Sequence, residues 1–392
     1  MKKAAIITVL IMAGCSGVPN QQKSVTLDQA KAQSADTGKP ILLEFFHKAC
    51  EYCDEFEQDA DTSAAIKNVL KSVVHLTVDA ESDDGGRLAD QYDVGSTFPV
   101  MILITRDEEI IRRWTGYTTA DDFVQRMQTS LADHATINER LKRYEANPTI
   151  DDALVLAKHY EEISEHLKAI DFYRQADELN KDGVFDHSYE IFLNTANAIW
   201  KDQLEFDRAH AAADGVFHGK RLNTGNILKV ALMMARLGRK ADKADDVGYY
   251  LQEALRLTEK TNAKQFLRSR EWIKADYALH IDHDTSLALD ICRESLGEGW
   301  ENDRDQAFLF AKWCLERKIN LAEAEAYARR TVEVVQPGHI KAMVAYTVAE
   351  ICEERGNLPE AVEFAKIAAA EDTESDYYQK QFTRLQEKSV GK

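Results

Sequence analysis

The stretch Ile41-Leu42-Leu43-Glu44-Phe45-Phe46 is an almost unbroken apolar run, and it leads within four residues into Cys50-Glu51-Tyr52-Cys53. A run so uniformly apolar is expected of a strand buried on both faces rather than one alternating between core and water. The residues after Cys50 have helical spacing and should continue as one helix towards Leu70. A covered strand feeding a helix demands a layered α/β domain. It also puts Cys50 at a helix N-terminus, where free backbone N–H groups and the helix dipole favour thiolate over thiol. Cys53 falls one turn further in and should be the more buried of the two.

The flanking sequence supplies the rest of that domain. Leu27 to Thr37 is a short helical pattern stopped by Gly38 and Pro40, and Val73 to Val78 is a second apolar strand. Arg87 to Tyr92 reads as a short helix, and Val94 to Pro99 as a turn. Val100 to Thr105 and Ile110 to Trp114 are strands joined through Arg106-Asp107-Glu108-Glu109. Thr119 should cap a last helix from Ala120 to Leu131.

Beyond Leu131 no convincing strand appears, and alanines recur at helical spacing. A linking helix from Thr136 to Tyr144 leads to Asn147-Pro148-Thr149. Ala157, Tyr160, Ala169, Tyr173 and Ala176 then fall at the small and aromatic positions of a tetratricopeptide unit. Ala349, Gly356, Leu358, Ala361 and Ala368 do the same near the C-terminal end. Between them, helix pairs are expected over 189–210, 227–257, 266–296 and 307–335. The reading is an all-α, tetratricopeptide-like superhelical array over 150–392, each unit packing on its neighbours.

Six prolines and 18 glycines in 392 residues suit so helical a chain, since both are costly in helix interiors. A net charge of −18 argues against a nucleic-acid partner, which needs a basic face. At the start, Lys2 and Lys3 precede an apolar run, Ala4 to Met12, too short to span a bilayer. Met12-Ala13-Gly14-Cys15 resembles the bacterial lipobox, with Met in place of the usual Leu. That resemblance implies a signal peptide over 1–15, lipidation of Cys15 and a polar tether over 16–24. Ser16 after the cysteine points to the outer membrane, so the expected location is the periplasmic side of a bacterial envelope. An exported chain can form and keep disulfides. Cys292, Cys314 and Cys352 lie among alanines and aromatics and should be small buried hydrophobes.

A Cys-x-x-Cys pair alone could also be half a zinc site, but no second pair is present and His47 does not complete one. With its strand before and helix after, the segment over 25–131 resembles the thioredoxin superfamily, in particular its exported reductase-like branch. The resemblance rests on Phe45-Phe46 before the cysteines, on Glu44 six residues ahead of Cys50, on Phe98-Pro99 and on Gly116. It implies thiol–disulfide oxidoreductase activity with no cofactor. Cys50 would be the attacking thiolate and Cys53 the resolving thiol. Glu44 would be a buried acid that takes the Cys53 proton, and Pro99 a cis-proline facing the disulfide. Ala49 stands where many members have Trp and Asp54 where many have Lys or Arg, so substrate contact falls to Tyr52 and Phe98. Glu51 and Asp54 disfavour the Cys50 thiolate while Lys48 and His47 favour it; the balance points to a reductase or isomerase rather than an oxidase.

Other constellations carry less. Asp79 to Gly85 superficially resembles a calcium loop but lacks Gly and Glu where one needs them, and reads as a solvated acidic loop. In His280-Ile281-Asp282-His283-Asp284 the last residue reads as a helix N-cap rather than a metal ligand. Trp200, Trp272, Trp300 and Trp313 read as core. Expected partners are protein clients with disulfides or thiols, an electron-donor thiol protein, and the membrane through the lipid anchor. A redox domain ahead of a helical array is also similar to the chaperedoxin family, which implies the rival reading of a client-holding scaffold with secondary redox chemistry.

Overall fold

Thr26 opens the first helix with a capping box: its hydroxyl accepts from the Gln29 N–H, and the Gln29 side chain accepts from the Thr26 N–H. Helix α1 (Leu27–Thr37) ends at Gly38, whose φ of 70° is a left-handed conformation that glycine adopts without strain. The computed structural model describes residues 26–391 apart from Ala49, Asp182, Val184, Phe185, Arg221 and Glu374. The expected signal peptide and tether, with Cys15, therefore lie outside the described residues. The chain divides into two compact units, the first ending at Phe172 and the second running Tyr173–Lys392.

In the first unit the apolar run is strand β1 (Ile41–Phe46), followed by α2 (Glu51–Thr62), α3 (Ala64–Leu70), β2 (Val74–Asp79) and α4 (Asp83–Gln91). Next come β3 (Val100–Ile104), β4 (Ile110–Thr115) and α5 (Ala120–Ala132). The sheet order is β2-β1-β3-β4, with β1 parallel to β2 and the other pairs antiparallel. Strand alternation gives β1 two jobs. Ile41, Leu43 and Phe45 pack with Ala30 of α1 and Ala89 of α4, whereas Leu42 faces Phe56 of α2, Ile66 of α3 and Phe123 of α5. The near-absence of polar residues in β1 is thus the signature of a strand covered on both sides. Helices α6 (Ile137–Ala146) and α7 (Ile150–Glu162) belong to the same unit and pack on β4, the edge strand that would otherwise be open.

Two local expectations are corrected. The helix after Cys50 does not run unbroken to Leu70: Ser63 leaves the helical conformation and its hydroxyl caps the Ile66 N–H, starting a separate helix. The acidic stretch after β2 is a loop only over residues 80–82 and is helical from Asp83. Ser82 caps the Gly85 N–H, and Asp83 and Asp84 occupy the first turn of α4, where the helix dipole favours negative charge.

The division falls within α8 (His166–Leu179). The second unit continues with α9 (Ser188–Trp200), α10 (Asp207–Phe217), α11 (Thr224–Lys240), α12 (Gly248–Leu257), α13 (Lys264–His280) and α14 (Thr285–Leu296). It closes with α15 (Arg304–Arg317), α16 (Leu321–Val334), α17 (His339–Glu354), α18 (Leu358–Glu371) and α19 (Asp376–Val390). No strand occurs among its described residues. Successive helices pack as neighbours, α13 on α14, α15 on α16 and α17 on α18, with Gly356 at φ 79° in the last of these turns. The fold class is therefore an α/β thioredoxin-like domain followed by an all-helical region. Alanines such as Ala311, Ala345 and Ala361 are fully buried where helices approach closely. Cys292, Cys314 and Cys352 are free thiols in this core, and burial pushes the Cys292 thiol up to about 12 and Cys352 to about 11. Asp284 caps α14 through the Leu287 N–H, as expected. Trp300 and Trp313 are buried, but Trp200 corrects the reading of that set as core: it is 46% exposed.

Candidate active site

Cys50 is the N-cap of α2, and its sulfur accepts the Cys53 N–H at 3.1 Å while its carbonyl accepts from Cys53 and Asp54. The helix therefore presents its unpaired N–H end to the sulfur, the arrangement that stabilises a thiolate. The two sulfurs are joined as a disulfide. Both cysteines are buried, Cys50 with 7% of its surface exposed, while Tyr52 between them is 57% exposed.

Pro99 is buried and follows a cis Phe98–Pro99 bond. Its carbonyl accepts from the Gly116 N–H at 2.7 Å, so Gly116, at φ 83°, ties the end of β4 to the start of β3. Phe98 is half-buried and meets His47 edge-on, ring centroids 4.9 Å apart. His47 in turn accepts the Cys50 N–H through its carbonyl at 3.2 Å. The loop before the cysteines and the loop before β3 are thereby joined through one aromatic contact.

Glu44 lies on the β1 face that Leu42 shares, the face covered by α2, and is 6% exposed. Its carboxylate does not stand alone. His75 Nε2 lies 2.6 Å from Glu44 Oε2. His75 escaped the sequence reading, where it was visible only as a histidine inside a largely apolar strand. Recognising its partner requires the β1/β2 register, in which Leu42 is opposite His75 and Glu44 opposite Thr77.

The charges around Cys50 are unequal in their freedom. Glu51 and Asp54 sit in the first turn of α2. Lys48, the nearby cation, lies 3.6 Å from Asp79 and shares its charge with that acid.

Behind the site, Tyr117 donates its hydroxyl to Asp59 of α2. Burial, followed by that bond, raises the phenol well above its usual value. Phe56 and Phe123 pack beside Tyr117, with Phe56 meeting it edge-on at 5.2 Å. These contacts fix the helix that carries the cysteines from its far end.

Residues 20–105 match a protein-family model described as Thioredoxin-like. The match takes in α1 to β3 and both cysteines, and stops short of β4 and the helical region. No curated protein matches the chain. A thioredoxin-like domain with a Cys50–Cys53 pair at a helix N-terminus is an arrangement suited to thiol–disulfide redox chemistry.

Proposed function

We propose that the chain is an exported thiol:disulfide oxidoreductase that reduces or rearranges disulfides in protein clients. The observation that carries this reading is the Cys50–Cys53 disulfide at the N-terminus of α2, with the Cys53 N–H aimed at the Cys50 sulfur. In the dithiol form, the Cys50 thiolate attacks one sulfur of a client disulfide. A Cys50–client bond forms, the client bond breaks, and the second client sulfur leaves as a thiolate. Cys53, giving its proton to Glu44, then attacks the Cys50 sulfur. The Cys50–Cys53 bond forms and the first client sulfur leaves, so the client has gained two electrons. An electron-donor thiol protein returns the pair to the dithiol.

Direction follows from the charges. A thiolate left less stabilised makes its dithiol the better reductant. Glu51 and Asp54 act that way on Cys50, and Lys48 is shared with Asp79. Tyr52 and Phe98 supply the contact surface for the client and Pro99 its extended backbone edge. The helical region, as tetratricopeptide-like repeats, holds the client or a partner. Lipidated Cys15 tethers the whole to the periplasmic side of the outer membrane.

Equilibration of the mature chain against dithiothreitol tests the redox half of this reading. A potential near the thioredoxin end, about −270 mV, is expected; one near about −120 mV would make it an oxidase. Cys53→Ser should accumulate mixed disulfides with clients and lose turnover. If the Cys50→Ser, Cys53→Ser double variant still suppresses client aggregation fully while the pair cannot be cycled, the chaperedoxin-like scaffold reading replaces this one.

A further inference from the structure

Arg239 and Lys240 follow Arg236 by three and four residues at the C-terminal end of α11, so each of the two shares a helix face with Arg236. Like charges at that spacing repel, and a net charge of −18 does not explain why cations should gather here. They line a cleft of about 590 Å³ within the second unit, together with Trp200, His280 and Arg317 and with two acids, Asp242 and Glu316.

Some of this charge is accounted for by helix ends. Lys240 donates to the Ile199 carbonyl at 3.1 Å and pairs with Asp202. Lys318, on the cleft rim, pairs with Glu354 at 3.0 Å. Cations that satisfy C-terminal carbonyls and nearby acids are ordinary capping. The guanidinium groups are not balanced in the same way. Asp276 is fully buried and accepts from Arg317 Nε at 2.7 Å, from Arg317 Nη2 at 2.8 Å and from Arg239 Nη1 at 3.2 Å. Two guanidinium groups thus share one buried carboxylate. Glu316 adds a looser contact to Arg317 at 3.6 Å.

Arg239 makes that one hydrogen bond and is also one of the residues that line the cleft. Burial pulls Arg239 down to about 10, a sign that its charge is poorly solvated where it stands. Arg236 has no carboxylate partner among the described residues; its guanidinium lies 4.8 Å over the ring of exposed Trp200. The buried Nε2 of His280, 3.9 Å from Asp276, has no hydrogen-bond partner either.

We propose that this cleft binds the oxyanion group of a small organic ligand, a phosphate ester or a carboxylate, between Arg236 and Arg239 with Trp200 as one wall. A planar guanidinium pair suits either group, since each offers two oxygens to a fork of N–H donors. The site stands apart from the redox reading and survives if that reading fails.

Calorimetric titration of the mature chain at fixed ionic strength tests it, with phenyl phosphate, glutarate and inorganic phosphate as probes up to about 10 mM. Saturable one-to-one binding of at least one probe is expected, with Trp fluorescence changing in step. Tighter binding of phenyl phosphate assigns the phosphate class, and tighter binding of glutarate the carboxylate class. Arg236→Ala, at an exposed position that should leave the fold intact, is expected to weaken binding about tenfold or more. Arg239→Gln is the second variant and should weaken it further; should it not fold, Arg236→Ala decides alone. Absence of saturation with all three probes, or unchanged affinity in Arg236→Ala, overturns the proposal.

Discussion

At the scale of single residues, the Glu44–His75 contact is the feature that most sharpens the redox site. A carboxylate with 6% of its surface exposed needs a hydrogen-bond partner, and His75 at 2.6 Å is the one that it has among the described residues. His75→Ala removes it and should destabilise the first unit by about 1–3 kcal/mol, read from urea unfolding. Glu44→Gln keeps the shape of the side chain but cannot take a proton. The release of client from a trapped Cys50 mixed disulfide should then slow by about a hundredfold, while the first attack by Cys50 is little changed. Equal slowing of both steps would show that Glu44 only supports the fold. Part of this site is legible in the sequence because it is local: Cys50 and Cys53 lie in one short recognisable stretch, whereas the cis Phe98–Pro99 bond is expected only through the resemblance to thioredoxins. His75 was not legible, since it meets Glu44 across 31 residues of chain and only strand register brings the two together.

At the scale of elements, a buried ionic cluster fastens α6 to α7. Arg140 is almost fully buried and donates to Asp152 at 3.1 Å and to the carbonyls of Ala135 and Asp133; Arg143 also pairs with Asp152 and Asp133. Burial pushes the Asp152 carboxyl up, but the Arg143 hydrogen bond and the charges of both arginines hold it below its usual value. A depressed carboxylate stabilises the fold above its unfolded pKa and loses that contribution as pH falls through the folded one. Arg140→Met should therefore cost roughly 3 kcal/mol at about pH 7, limited by the remaining Arg143 contact, and clearly less near pH 3. A pH-independent loss in denaturant melts would mean that packing, not charge, holds the two helices. The helices themselves were readable, one from the helical stretch that starts at Thr136 and the next from its entry at Asn147-Pro148-Thr149; the structure adds that Thr136 and Thr149 are their N-caps. The break at Ser63 was not. The helical spacing continues through it, and the boundary shows only in the structure, in the extended backbone of Ser63 and its hydroxyl bond to Ile66.

At the scale of the whole molecule, an acidic protein meets pH from two directions. Its all-helical second unit was legible as a class from the spacing of alanines, but the charges that α17 buries were not, because their partners lie on other helices. The Arg384 hydrogen bond, helped by Lys388 of α19, holds Glu353 down to about 2 against burial, which raises it. That clasp is fully present above the ordinary value of 4.5 and is lost only in strong acid. Glu350, one turn earlier on α17, goes the other way: burial raises it to about 7, Lys312 opposes that, and Glu353 adds to it. For a raised carboxyl the native state holds more protons than the unfolded chain between about pH 4.5 and 7, so stability falls as pH rises through that window and stays reduced above it. Glu350→Gln removes the ionisation while keeping the shape. At about pH 8 the variant should be more stable than the parent by roughly 1–3 kcal/mol, and at about pH 4.5 the two should melt together. Urea midpoints at the two pH values check this. A gain of equal size at both would assign the effect to a hydrogen bond made by the new amide, whereas no gain at the higher pH would show that Lys312 and Arg384 already compensate the charge.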